Sequence, residues 1–189
     1  MSKRSIALIL AALLCCAASL GETREGIIYK EGEPEPIYET RWDSALGFSF
    51  WYDAEALTVA EDPSEDGGSL IVSLADFDLP VRLEIMTPQR AGVLPWKFLE
   101  LNAPAGVEYR TEETEEGGEV HCFDKPADYD AHIVECYYAV EDGEDFVVAV
   151  SAMPEDAVEG WGKVFDRVVC SVNFAPPLRH PRGSDSPAF

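Results

Sequence analysis

Apolar residues recur along this chain at two spacings, and each spacing predicts its own kind of element. Phe48, Phe50 and Tyr52 alternate with Ser49 and Trp51 across Gly47 to Tyr52. Val81, Leu83 and Ile85 alternate with Arg82, Glu84 and Met86. A period of two sends one set of side chains into a core and the other into water, the pattern of a half-buried strand. Ser69 to Ala75 is apolar on both alternating sets and reads as a strand covered on two faces. Further strands are predicted over Gly106 to Glu112, Glu119 to Asp124, Ile133 to Val140 and Asp145 to Ala152. Asp142-Gly143 joins the last two as a tight hairpin signal. Cys170 to Phe174 is predicted as a short closing strand.

Two stretches carry helical spacing. Val93 to Leu101 is short, with Leu94, Phe98 and Leu101 expected on one side. In Pro154 to Val169, Val158, Trp161, Val164, Phe165, Val168 and Val169 recur at steps of three and four. Pro154 suits a first helical turn, and Glu155 and Asp156 suit its positive end. Gly160 and Gly162 each cost about 1 kcal/mol against alanine in an exposed helix interior, so packing on a sheet must hold this helix. Tight hairpins cannot join parallel strands, so the sheet is mostly antiparallel. The expected class is α+β, a twisted sheet covered by helices.

The ends of the chain read differently. Lys3 and Arg4 precede an uncharged run from Ile6 to Ala18, too short to cross a bilayer and suited to a signal peptide over residues 1–21. Ala17-Ala18-Ser19 offers a signal-peptidase site. Leu13-Leu14-Cys15-Cys16 is similar to a bacterial lipobox with Cys16 as the acylated residue, and both alternatives stand. Residues 22–36, with the run Glu31 to Pro36, read as a flexible acidic tether. Residues 175–189 hold prolines throughout and read as a loose tail. Residues 37–174 between them have the size of a single domain.

Charge then narrows the function. The chain has 14 Lys and Arg against 36 Asp and Glu, a net charge of −22. Losing Lys3 and Arg4 with a signal would leave 12 basic residues against 36 acidic ones, a balance of −24. Such a surface repels phosphate backbones and anionic headgroups, which excludes a nucleic-acid partner and leaves a lipid anchor as the only expected link to a membrane. The four segments 22–35, 61–66, 108–119 and 141–145 hold 19 of the 36 acids. All are expected turns, strand ends or tether, so the charge belongs to the rim and favours a basic partner.

Arg41 to Val59, with its turn and Gly47-Phe48-Ser49-Phe50 strand, resembles the opening of PsbP-like domains, and the helix followed by Val169 to Phe174 is similar to their end. PsbP-like proteins are extrinsic photosystem subunits and many exported bacterial lipoproteins. The resemblance implies an α-β-α sandwich and a non-enzymatic accessory or binding role, with no catalytic residue to carry over.

Read residue by residue, the chemistry is sparse. Cys122 and Cys136 share the parity of Val120, Val134 and Tyr138, so they are expected on one face of neighbouring strands, closing a disulfide loop worth about 3 kcal/mol. Cys170 is then left over. His121 and His132 fall in a stretch rich in Asp and Cys and are the only metal candidates, without any recognised ligand spacing. The chain shows no nucleophile elbow and no glycine-rich phosphate loop. The expectation is a non-catalytic domain acting through protein contacts at the cell envelope, with no catalytic residue, metal or cofactor. A hydrolase using surface carboxylates and a carrier of divalent cations or small ligands are the alternatives.

Overall fold

The computed structural model describes residues 22–30, 33–63, 67–74 and 81–174. The leader over 1–21, with Cys16, and the tail over 175–189 lie outside the described residues. Strands β4 (Leu57–Asp62), β5 (Ser69–Leu74), β6 (Arg82–Met86), β7 (Arg110–Glu113), β8 (Glu119–Pro126), β9 (Ile133–Asp142) and β10 (Asp145–Pro154) form one antiparallel sheet in the order β4-β5-β6-β10-β9-β8-β7. Three further strands, β1 (Thr23–Lys30), β2 (Glu33–Asp43) and β3 (Ser49–Asp53), form a second antiparallel sheet in chain order. The class is α+β, as the hairpin spacing predicts. At the Asp142-Gly143 turn Gly143 adopts φ 63°, open to glycine at little steric cost.

Each face of the large sheet is covered. Helix α2 (Pro95–Asn102), which follows the single turn α1 (Pro88–Ala91), buries Phe98 and Leu99 against Phe123, Tyr137, Ala139 and Val148. The opposite face carries the main core, where Phe50, Leu83, Ile85 and Tyr138 meet Phe165, Val168 and Val169 of helix α3 (Lys163–Cys170). Those three helix residues stand at steps of three and four, so they form one stripe. In β9, Cys136 to Val140 is buried at every position, as a strand covered from both sides must be.

Four departures from the sequence reading have physical causes. First, 22–36 is not a free tether, because most of it pairs as the β1–β2 hairpin, with Ile27 opposite Pro36 and Tyr29 opposite Pro34. Both prolines fall in the part of β2 that β3 does not reach, since β3 pairs only with Glu39 to Asp43, so no second ladder needs their missing N–H. Second, 154–169 is not one α-helix. Glu155–Ala157 is a 3₁₀ turn, Val158–Gly162 a π turn, and only Lys163–Cys170 is α-helical. Gly160 and Gly162 lie in the π turn, where their low helix propensity does least to resist unwinding. Third, Cys170 ends the helix, and the closing strand shrinks to a single bridge between Ser49 and Asn173. The Ser171 hydroxyl donates to the Val168 carbonyl at 2.8 Å and accepts from the Trp51 N–H at 2.9 Å, turning the chain away. Fourth, Leu94 and Leu101 of the first helical stretch face water, because the helix starts at Pro95 and its stripe is Pro95, Phe98 and Leu99. Among the described residues no helix is long and apolar enough to cross a membrane.

Candidate functional site

A cavity of about 310 Å³ opens where α3 and the π turn cross β8, β9 and β10. Side-chain parity builds its floor. Asp124 of β8, Val134, Cys136 and Tyr138 of β9 and Met153 of β10 all point to the α3 side. Arg110 enters from β7, and Glu159, Lys163 and Asp166 come from the helical crossing. The Arg110 guanidinium donates from one nitrogen to both Asp124 oxygens at 3.1 Å and lies 3.5 Å from Cys136 Sγ. Its other terminal nitrogen is 3.8 Å from Asp166 Oδ2. The Tyr138 hydroxyl, on a side chain only 1% exposed, donates to Asp166 Oδ1 at 2.8 Å.

These contacts set the protonation of the site. Burial lifts Asp166 above the usual carboxyl value, with the Tyr138 hydrogen bond and the Arg110 charge opposing it. Burial also lifts the Tyr138 phenol well above its usual value. A hydrogen bond with Cys122, together with burial, pushes Cys136 far up. Cys170 rises to about 12 through burial and its contact with Glu112. Thiols held this way stay protonated and are poor nucleophiles. The arrangement can hold a ligand between charged lips and an apolar floor.

Cys122 and Cys136 do share this face, as their parity predicts, but they are free thiols and not a disulfide. The observed register pairs Cys122 with Tyr138 and Cys136 with Asp124, leaving the two cysteines diagonal. Diagonal neighbours lie farther apart than the Cβ separation of about 3.8 Å that a disulfide uses. The β8–β9 connection explains the register. It turns over Ala127 to His132, closed by an Ala127 N–H to Ile133 carbonyl bond of 2.8 Å.

The two histidines sit far apart. His121 lies on β8 opposite Ala139, whereas His132 precedes the first residue of β9. Seven residues of strand between those positions span about 23 Å. His121 belongs to the opposite face of the sheet. Its Nδ1 is 3.1 Å from Thr111 Oγ1 and its Nε2 3.2 Å from Glu119. The Trp96 ring covers it at 4.5 Å. His132 lines a separate shallow hollow with Glu155 and Asp156. Among the described residues no three His, Cys, Asp or Glu side chains are placed to hold a metal ion.

Around His121 a chain of rings continues. Tyr109 meets Trp96 edge-on at 5.7 Å and Phe123 at 5.7 Å, and Phe123 stacks on Tyr137 at 5.1 Å. Leu94 and Leu101, 69% and 63% exposed, flank the buried stripe of α2 on one side, and Trp96, 43% exposed, flanks it on the other. Sequence reasoning missed Arg110, Tyr138, Asp166 and Trp96. Isolated polar residues in a strand or helix carry no spacing signal, and only the fold brings them together.

The architecture is that of an α+β protein whose large antiparallel sheet is covered on both faces. By sequence, no protein-family model and no curated protein matches the chain. By structure, it is similar to the solution structure of cyanobacterial PsbP (CyanoP) from Synechocystis sp. PCC 6803, at 13% identity and a TM-score of 0.48, over 71% of this chain and 91% of that one.

Proposed function

We propose that this protein is an exported, non-catalytic binding domain that acts through protein contacts at the cell envelope, with the outer side of α2 as its contact surface. The observation that carries this reading is the exposure of Leu94, Trp96 and Leu101 on a chain of net charge −22. Exposed apolar side chains rimmed by polar ones mark interaction surfaces. Glu119, bonded to the His121 beneath Trp96, and Glu108, next to Tyr109, supply acids at its border. A basic partner with apolar anchors fits such a surface, and Trp96 can receive an arginine or lysine by cation–π contact. The uncharged run behind Lys3 and Arg4 supports export. Acylation at Cys16 would add a membrane anchor, and palmitate incorporation abolished in Cys16→Ser tests it. The hydrolytic alternative has less support, because Asp124 and Asp166 are engaged by Arg110 and Tyr138.

Site-specific photocrosslinking in the native envelope tests the contact surface. A crosslinking residue placed at Trp96 should give a discrete adduct with a basic protein. The same group at Ile71, exposed on β5, should give none. Absence of the adduct, or equal adducts from both positions, overturns the reading.

A further inference from the structure

The helical roof of the cavity exposes two charges that an ordinary helix would pair. Glu159 and Lys163 stand four residues apart, acid first, the order that best forms an ion pair on an α-helix. Here Glu159 lies inside the π turn Val158–Gly162 and Lys163 follows it. Glu159 and Lys163 form no ion pair with each other or with any other described residue. Both are exposed, and both line the cavity mouth.

The remaining polar groups of the cavity satisfy one another. Arg110 is engaged by Asp124, and Tyr138 by Asp166. Beneath them the floor is apolar at Val134 and Met153, with Val158 on the roof side. The volume of about 310 Å³ lies at the small end of small-molecule sites. One unpaired anion and one unpaired cation thus line the same cavity mouth, above the apolar Val134 and Met153.

We propose that this cavity binds a small zwitterion with an apolar body, the chemistry of a free aliphatic α-amino acid. Its ammonium meets Glu159, its carboxylate meets Lys163, and its side chain enters over Met153 and Val134. An α-amino acid carries both charges, which matches an unpaired acid and an unpaired base lining one cavity mouth. The site lies on the opposite face of the sheet from α2 and does not depend on the contact reading.

Amide chemical-shift titration of the full-length secreted protein tests this with L-leucine, 3-methylbutylamine (leucine without its carboxylate) and 4-methylpentanoate (leucine without its amine). L-leucine should shift the Gly160 and Gly162 amides saturably, with a Kd of about 1 mM or below, and each single-charge analogue should bind about tenfold more weakly. Glu159→Gln should weaken L-leucine about tenfold and leave 4-methylpentanoate unchanged, while Lys163→Gln should do the converse, sparing the amine. Both side chains are exposed and unpaired, so the unfolding midpoints of the variants should match wild type. Lack of saturable shifts with L-leucine, or variants that bind it as wild type does, overturns the proposal.

Discussion

Arg167 of α3 reaches across 128 residues of sequence to grip Glu39 of β2 with two nitrogens, one of them 3.0 Å from Oε2. Arg24 of β1 takes the same oxygen at 2.7 Å and also binds Glu115 at 2.7 Å. The Glu39 side chain is 2% exposed, and Arg24 lies 4.5 Å over the Trp51 ring. Arg167 further donates to the Ile27 carbonyl at 3.1 Å, passing so close to Gly26 that a Cβ there would stand 2.5 Å from its Nη2. This cluster ties the small sheet to the helix and to the β7–β8 turn.

Removing the shared carboxylate leaves two guanidinium groups facing each other. Glu39→Gln should therefore destabilise the fold by about 2–3 kcal/mol, discounted from a fully buried pair because both arginines are partly exposed. Burial raises the Glu39 carboxyl, but the Arg167 and Arg24 hydrogen bonds outweigh it and hold the group below its ordinary 4.5. A depressed carboxyl stabilises the fold above its unfolded value, and this contribution fades as pH falls through the lower folded value. Urea unfolding as a function of pH should show the wild-type advantage over Glu39→Gln at neutral pH and its decline below about pH 4.5. A difference that persists unchanged into acid counts against it.

Asp166 should behave in the opposite sense. Its carboxyl is raised, chiefly by burial, so the folded state holds the proton more tightly than the unfolded state. Stability is then lost as pH rises from the ordinary 3.8 through the higher folded value. Asp166→Asn keeps an oxygen for the Tyr138 hydroxyl and carries no charge to desolvate. Its stability relative to wild type should increase between acid and neutral pH. A flat difference across that range would show that Asp166 does not titrate this way.

The two sides of α2 should respond differently. Leu99 is fully buried, so Leu99→Ala should cost about 2–5 kcal/mol by cavity formation. Leu94→Ser and Leu101→Ser change side chains more than 60% exposed and should stay within about 0.5 kcal/mol. Chemical denaturation of the three variants checks this. Equal losses from all three would mean that the outer leucines support the fold and are not free for a partner.

The thiols offer a direct chemical readout. Cys122 and Cys136 are buried, and Cys170 is raised to about 12. At about pH 8, near the ordinary thiol value, iodoacetamide should label none of the three in the native protein within minutes. After unfolding without reductant, mass spectrometry should find all three labelled. A Cys122–Cys136 pair protected from alkylation after unfolding would show the bridge that the observed register disfavours.

What the sequence made legible was whatever repeats. Alternation placed Leu83 and Ile85 inside and Arg82 outside, and steps of three and four placed Phe165, Val168 and Val169 on one stripe. Asp142-Gly143 located a turn because few dipeptides accept that backbone at low cost. Register and contacts between distant segments were not legible. The Cys122–Tyr138 pairing depends on where the 127–132 loop closes, and two residues of difference turn an expected bridge into a diagonal pair. The hairpin over 23–43 was hidden because a stretch containing Pro34 and Pro36 carries turn chemistry, and its place depends on Glu39 meeting both Arg24 and Arg167. The cavity draws on six separate elements, none of which carries a local motif.

The strand order bears on how the chain folds as it is made. The large sheet is two meanders, β4-β5-β6 and β7-β8-β9-β10, sewn together only where β10 pairs with β6 over five residues from Val148 to Ala152. The strand that completes this seam is the last of the sheet to emerge in an N-to-C direction. Until then β6 is an open edge and the first meander lacks the neighbour that buries Leu83 and Ile85. Non-local pairing of this kind is slow and must wait for chain closure. The order of strands thus keeps the first half of the sheet unfinished until the second half has followed.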